Sequence, residues 1–399
     1  MRRIAYIQQI RCYKLKFINL LSHFRMSSQL IGIIVCILFI SCIDDESLIE
    51  KNKFDIDSDL ALKAYFSNQR GLFVVNEGNF MYDNASLSYY LVDSMKVVNH
   101  IFSRVNGVPL GDVAHSMTIH NNLGYIVVNN SGKVYVIDVD NLKIKGKITG
   151  LVSPRYIHFV DNTKAYITDL YAKSITIVDL NTLQVTGSIS VNNFETEFYQ
   201  HPTEQMVQIG KKLYVSCWSY DDKILVIDVD SDRLIDSLTV VGQPRSMVCD
   251  KSGKVWVLSD GGASGNPFVY ERSALTRINP ETLEIERIFR FELNDNPLSL
   301  CINGSGDTLS LINQHVWQLP ITATKFPEKP FISSPYSGLA IGGFYSMAVD
   351  PLTSEVYVAD AVDNVQQGSV YRFSPNGIAI DTFKVGIIPG NLCFKPTSK

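Results

Sequence analysis

The chain has 399 residues, 46% hydrophobic, 11% aromatic and 19% charged, which buries a sizeable core and excludes disorder over most of the length. Its 36 basic and 40 acidic residues give a formal charge of -4, leaving no basic excess to neutralise a phosphate backbone, so no nucleic-acid partner is expected. Seven cysteines occur without a CxxC or His-spaced pair, and their spacing points to neither zinc nor a dithiol redox centre.

The first element is an apolar run from Leu30 to Ile40 ending at Ser41-Cys42. It is too short for a bilayer span, which takes about 20 residues, and suits the apolar core of a secretory signal. Positive charge lies upstream in Arg2, Arg3, Lys14, Lys16 and Arg25. Leu38-Phe39-Ile40-Ser41-Cys42 resembles a lipobox, so residues 1–41 are expected to be a signal peptide and Cys42 the lipidated first residue of the mature chain. Ile43-Asp44-Asp45-Glu46 follows, and it resembles the surface-export signal of Bacteroidetes lipoproteins or is a plain solvated linker. Residues 42–68 read as a flexible tether.

From about residue 70 the chain repeats. Val134-Tyr135-Val136-Ile137-Asp138 is echoed by Ile175-Thr176-Ile177-Val178-Asp179 and by Ile224-Leu225-Val226-Ile227-Asp228. Each follows another β-branched or aromatic run, such as Ala165-Tyr166-Ile167-Thr168, and precedes a polar turn and a closing strand. Short runs of this kind between turn residues predict antiparallel strands. A further strand in each unit carries Met117, Ile157, Met206, Met247, Leu300, Met347 and Leu392, at separations of 40 to 53 residues. Four strands at that period predict propeller blades. The last strand, Asn391-Leu392-Cys393-Phe394, has nothing after it to pair with, and the first three strands lack an inner neighbour. Joining the two ends predicts an all-β, seven-bladed propeller over residues 69–397, with four antiparallel strands per blade and no exposed sheet edge at the closure. No amphipathic helix is expected within it.

The unit Ala165 to Ile189 resembles the YVTN or YncE-type propeller repeat. Phe73-Val74-Val75-Asn76-Glu77-Gly78-Asn79, followed by Ala85-Ser86-Leu87-Ser88-Tyr89-Tyr90, is more distinctive. It resembles the first blade of propeller lipoproteins on the surface of gut Bacteroidetes, among them the BtuG-type proteins. That resemblance implies vitamin B12 binding above an outer-membrane corrinoid transporter.

Catalytic spacing is absent. No HExxH, GxSxG, P-loop or strand-following GxGxxG occurs, so no enzyme activity and no cofactor or metal is expected. Cys217, Cys249, Cys301 and Cys393 fall within strands and read as packing residues. Asp138, Asp179 and Asp228 end equivalent strands and are expected to accept turn hydrogen bonds. An alternative is a lactonase-like hydrolase, in which Glu204, Asn391 and Asp260 would converge on calcium.

The loops that enter the inner strands and those between second and third strands should share one mouth. The first set offers His115, Arg155, Tyr156, Gln205, Arg245 and Tyr345, the second Tyr171, Trp218, Tyr220 and Asp260. Aromatic walls with a few polar groups suit a large ligand, although any single aromatic could instead cap the core. The expected function is ligand capture by a non-catalytic lipoprotein, anchored in the outer membrane by lipid alone and facing the exterior. The resemblance, not the spacing, names a corrinoid as ligand and a TonB-dependent transporter as partner. A protein- or glycan-binding scaffold is the other non-enzymatic reading.

Overall fold

The structure, a computed structural model, describes residue 66 and residues 70–192, 201–266, 269–335 and 343–396. The strands form seven separate antiparallel sheets, ordered around an axis as propeller blades. Blade 1 joins both ends of the chain. Its β1 (Gly71–Asn76), β2 (Ser86–Leu91) and β3 (Lys96–Val98) are completed by β27 (Pro389–Lys395), which pairs with β1 as the inner strand. The register Leu72↔Phe394 and Val74↔Leu392 is the closure expected from the two unpaired ends.

Blade 2 comprises β4 (Ala114–His120), β5 (Leu123–Val128), β6 (Lys133–Asp138) and β7 (Ile144–Thr149). Blade 3 comprises β8 (Pro154–Phe159), β9 (Lys164–Asp169), β10 (Ser174–Asp179) and β11 (Gln184–Ser190). Blade 4 is built from β12 (Thr203–Ile209), β13 (Lys212–Cys217), β14 (Lys223–Asp228) and β15 (Arg233–Thr239). Blade 5 follows with β16 (Pro244–Cys249), β17 (Val255–Ser259), β18 (Ala274–Asn279) and β19 (Glu284–Arg290). Blade 6 has β20 (Leu298–Ile302), β21 (Thr308–Asn313) and β22 (His315–Pro320). Blade 7 has β23 (Phe344–Val349), β24 (Val356–Asp360), β25 (Gln367–Phe373) and β26 (Ala379–Ile387).

Two local departures from the expected pattern have physical causes. The sixth sheet has three strands rather than four. After β22 the chain reads Phe326-Pro327-Glu328-Lys329-Pro330, and two prolines without N–H groups cannot sustain a ladder. Among the described residues, contact beyond β22 is reduced to one bridge, Val316↔Ile332. The run Val97-Val98-Asn99-His100-Ile101 reads as a strand in sequence, but in blade 1 the outer strand stops at Val98 and a short helix, α1 (Ile101–Asn106), follows. Ile101 and Phe102 are buried, and Gly107 ends the helix in the left-handed conformation, its N–H bonded to Ser103 O.

The core is divided among the blade interfaces. Seven clusters of buried apolar side chains lie one between each pair of neighbouring blades. Second strands are therefore covered on both faces, which is why they read as unbroken apolar runs rather than alternating ones. Outer strands are largely exposed, as in β11 and β19, which bury only Ile189 and Phe289 near their ends. A buried aromatic recurs early in the second strands, and in blades 3 and 4 its polar tip reaches the next blade. Tyr166 Oη bonds Asp232, and Tyr214 Oη donates to Pro280 O at 2.6 Å. The turn aspartates act as expected, Asp138 and Asp179 each accepting two backbone N–H bonds through Oδ1.

The closing blade is also pinned from the amino-terminal side. Phe66, in the segment read as tether, is fully buried and edge-on to Tyr89 at 5.2 Å. The buried Lys395 Nζ donates to Phe66 O at 2.7 Å and pairs with Asp140 at 2.7 Å.

Candidate functional site

All seven inner strands break register near their first residues. His115 is skipped between Ala114↔Val128 and Ser116↔Val127. Arg155 and Tyr156 are skipped in β8, Glu204 and Gln205 in β12, Arg245 in β16, and Tyr345 in β23. A bulge frees these residues from the ladder and re-aims their side chains. Each blade thus contributes its unpaired residues to the same end of the axis. Backbone strain accompanies the bulges: Val113, Gln243 and Ile388, each directly before an inner strand, have φ of 56, 56 and 54°.

Neighbouring blades satisfy the groups the bulges release. Ser116 Oγ donates to Arg155 O at 2.6 Å, Ser346 Oγ to Pro389 O at 2.7 Å, and Leu300 N–H to Ser246 Oγ at 3.2 Å. Gln205 Oε1 accepts from Met247 N–H at 2.9 Å, so this predicted ligand residue also ties blade 4 to blade 5.

Between blades 3 and 4 the mouth holds a buried ion pair. Arg155 grips Glu204 through Nε to Oε2 and Nη2 to Oε1, both 2.6 Å. Burial pushes the Glu204 carboxyl up, but the Arg155 guanidinium more than offsets this and holds it at about 2. His115 Nε2 stands 3.6 Å from Glu204 Oε1, with its ring edge-on to Tyr156 at 5.0 Å. Burial and then the Arg155 charge push His115 down, so its imidazole is neutral at neutral pH. Tyr156 is pushed up to about 12 by burial and by Glu204.

Beside this pair lies an aromatic platform. The Arg155 and Arg245 guanidiniums both sit over the Trp218 ring, 5.5 and 5.4 Å from its centre. Trp218 Nε1 donates to Asp260 Oδ2 at 3.0 Å, Gln243 Nε2 to Oδ1 at 2.6 Å, and Arg245 Nη1 lies 3.6 Å from the same carboxylate. Arg155 is enclosed at 12% side-chain exposure, whereas Arg245 keeps 32%. Arg245 is therefore the more accessible of the two cations. Ser219 and Tyr220 turn the Trp218 loop with φ of 55 and 72°, both left-handed without glycine.

The predicted residues thus divide by role. His115, Arg155, Tyr156, Gln205, Trp218, Arg245 and Asp260 are linked by contacts from blades 2 to 5. Tyr171 is 63% exposed on the rim of blade 3. Tyr345, on blade 7, donates to Glu77 Oε1 at 3.0 Å across the closing blade. Cys42 lies outside the described residues. Glu77 and Gln243 were missed by sequence reasoning, and Glu204 was considered only for calcium. Superposing the inner strands would have found Glu204, since it occupies the bulge position that Arg155 fills one blade earlier.

The oxygen set suggested for calcium is committed elsewhere: Glu204 to Arg155, Asp260 to Trp218 and Gln243, and Asn391 Oδ1 to Met117 N–H. A cleft of about 230 Å³ lies at the opposite end of the strands, lined by Arg70, Leu352, Phe394 and Pro396. It is smaller than the roughly 300–1,000 Å³ of typical ligand pockets, and it holds the Arg70–Asp350 pair rather than open polar groups. The mouth is the better candidate.

A family model described as a domain of unknown function (DUF5074) matches residues 70–386. None of the curated proteins matches the chain. Among solved structures, a quinonprotein alcohol dehydrogenase-like protein from Bacteroides thetaiotaomicron is similar at 14% identity and TM-score 0.63, over 82% of this chain and 78% of that one. The periplasmic gluconolactonase of Pseudomonas aeruginosa is similar at 12% identity and TM-score 0.60, over 82% and 99%. Hydrazine synthase of Kuenenia stuttgartiensis is similar at 14% identity and TM-score 0.53, over 70% and 89%. At these identities the likeness is one of fold.

Proposed function

We propose for this chain, which belongs to the DUF5074 family, the role of a non-catalytic capture protein that takes a large amide-bearing ligand of the corrinoid type at its propeller mouth. It would be anchored by lipid at Cys42 on the outer membrane and pass the ligand to a TonB-dependent transporter. The observation that carries the reading is the Trp218 platform, with Arg245 partly exposed above it and Tyr156 linked to Arg155, Gln205 and Arg245 beside it. Such a surface combines aromatic contact area with a cation able to hydrogen-bond ligand carbonyls. The choice of a corrinoid rests on the resemblance of the first blade to BtuG-type lipoproteins.

The similar gluconolactonase invites comparison with an enzyme, but fold alone does not transfer activity. The carboxylates here are closed into ion pairs and hydrogen bonds, an arrangement that supports holding a ligand rather than hydrolysing one. Isothermal titration of the propeller with cyanocobalamin and cobinamide tests the reading, and saturable binding is expected. Absence of heat at micromolar protein removes the corrinoid, and turnover in a lactone screen removes the non-catalytic role.

A further inference from the structure

Blade 4 gathers a donor set that cysteine spacing alone did not reveal. A ring nitrogen of His201, the Cys217 Sγ and a carboxylate oxygen of Asp221 all lie within 4.8 Å of one another. His201 precedes β12, Cys217 ends β13, and Asp221 belongs to the loop from β13 to β14. We propose that these three side chains bind one divalent transition-metal ion of the zinc type, with a fourth position left for water.

The chemistry of the set selects the ion. One nitrogen, one sulfur and one oxygen suit zinc or a similar borderline-soft cation, and a thiolate excludes magnesium and calcium as natural occupants. Charge also balances: a dication with one thiolate, one carboxylate and a neutral imidazole is neutral overall, which a buried position requires. On binding, the Cys217 S–H proton leaves to solvent and a sulfur–metal bond takes its place.

The ligands are already held. Asp221 Oδ1 accepts backbone N–H groups of Asp222 at 2.7 Å and Lys223 at 3.1 Å, which leaves Oδ2 facing His201 Nδ1 at 2.7 Å. The ion would replace that last contact. Backbone bonds fix the chain on both sides, His201 N–H to Val191 O at 3.0 Å and Trp218 N–H to Pro202 O at 2.9 Å. An independent sign is the thiol itself. Cys217 is fully buried and, among the described residues, its Sγ donates no hydrogen bond, whereas those of Cys249 and Cys301 donate to backbone carbonyls. Holding Asp221 and Cys217 with one ion would also brace the loop that carries Trp218 and Tyr220, whatever ligand the mouth takes.

Cobalt(II) is the probe, because its thiolate complexes absorb where the protein does not. The full chain, freed of metal with chelator, is titrated with cobalt while absorbance is followed, and uptake is counted by equilibrium dialysis. One equivalent is expected, with a thiolate-to-metal charge-transfer band that zinc abolishes by displacement. Cys217→Ser should remove the band, Cys249→Ser should keep it, and His201→Ala should weaken uptake at least about tenfold, with circular dichroism as the folding control. Wild-type protein that takes up no cobalt overturns the proposal without recourse to any variant. A band that survives in folded Cys217→Ser overturns it equally.

Discussion

Arg155 and Glu204 face each other from the bulges of adjacent inner strands, joined by two 2.6 Å hydrogen bonds in a fork. Each would be an unpaired residue in its own sheet, and each becomes the other's partner across the blade interface. A charge pair buried in this way costs little while intact and about 3–5 kcal/mol when one member is removed. The mouth therefore stands on an electrostatic joint that responds to acid.

Because Glu204 is held at about 2 in the folded state against an ordinary 4.5, its contribution is fully present above pH 4.5 and lost as pH falls toward 2. Glu204→Gln should be less stable than wild type at neutral pH, and the gap should narrow between pH 4.5 and 2. Urea unfolding at pH 6, 4 and 3 measures this. A gap that stays constant over that range would show that the pair does not titrate as described.

Trp218 and Arg245 should dominate affinity for the ligand. Truncating a true hot spot costs about 2 kcal/mol or more, so the double variant Trp218→Ala with Arg245→Ala should bind at least about a hundredfold more weakly. Titration calorimetry reads the affinity and circular dichroism the fold. Unchanged affinity in a folded double variant moves the site off blades 4 and 5.

Removing residues 388–399 should abolish folding. The deleted segment contains β27, the inner strand of blade 1, together with Leu392, Phe394 and the Lys395 amino group. Leu392 is buried and Phe394 partly so; burying one such side chain is worth about 1.5–3 kcal/mol, and losing the whole inner ladder with it removes a large share of a stability of about 5–15 kcal/mol. A truncated chain that melts cooperatively at the wild-type temperature would contradict closure by both chain ends.

Cys42→Ala should move the protein from the membrane fraction to the soluble one. Fractionation of cells expressing each form, followed by immunoblotting, reports the result. Continued membrane retention would remove the lipid anchor from the proposal.

Blade number and closure were legible because second strands are buried on both faces, so Ala165-Tyr166-Ile167 and its counterparts are apolar runs that recur blade after blade. The turn aspartates were legible for the same reason of repetition. The bulges were not. A residue such as Arg155 or Tyr345 looks like the end of an entering loop in sequence, and only pairing shows that it is skipped by the ladder. The outer strand of blade 1 was misread at His100-Ile101 because Ile101, Phe102 and Val105 are apolar in a pattern too brief to separate strand from helix. His201, Cys217 and Asp221 lay hidden because their ring, thiol and carboxylate meet through sheet pairing, Thr203↔Cys217, rather than through spacing.

The pinning of Phe66 by Lys395 has a mechanical meaning. Tension reaching the propeller along the amino-terminal chain meets Phe66 first, plugged beside Tyr89 and clamped through its carbonyl to the last strand. Beyond it β1 lies between β27 and β2, so it cannot peel from an open edge and must be sheared against two ladders at once. The same clamp sits at the end of the axis opposite the mouth. A pull on that end would be absorbed by blade 1 before it could disturb Arg155, Glu204 or Trp218.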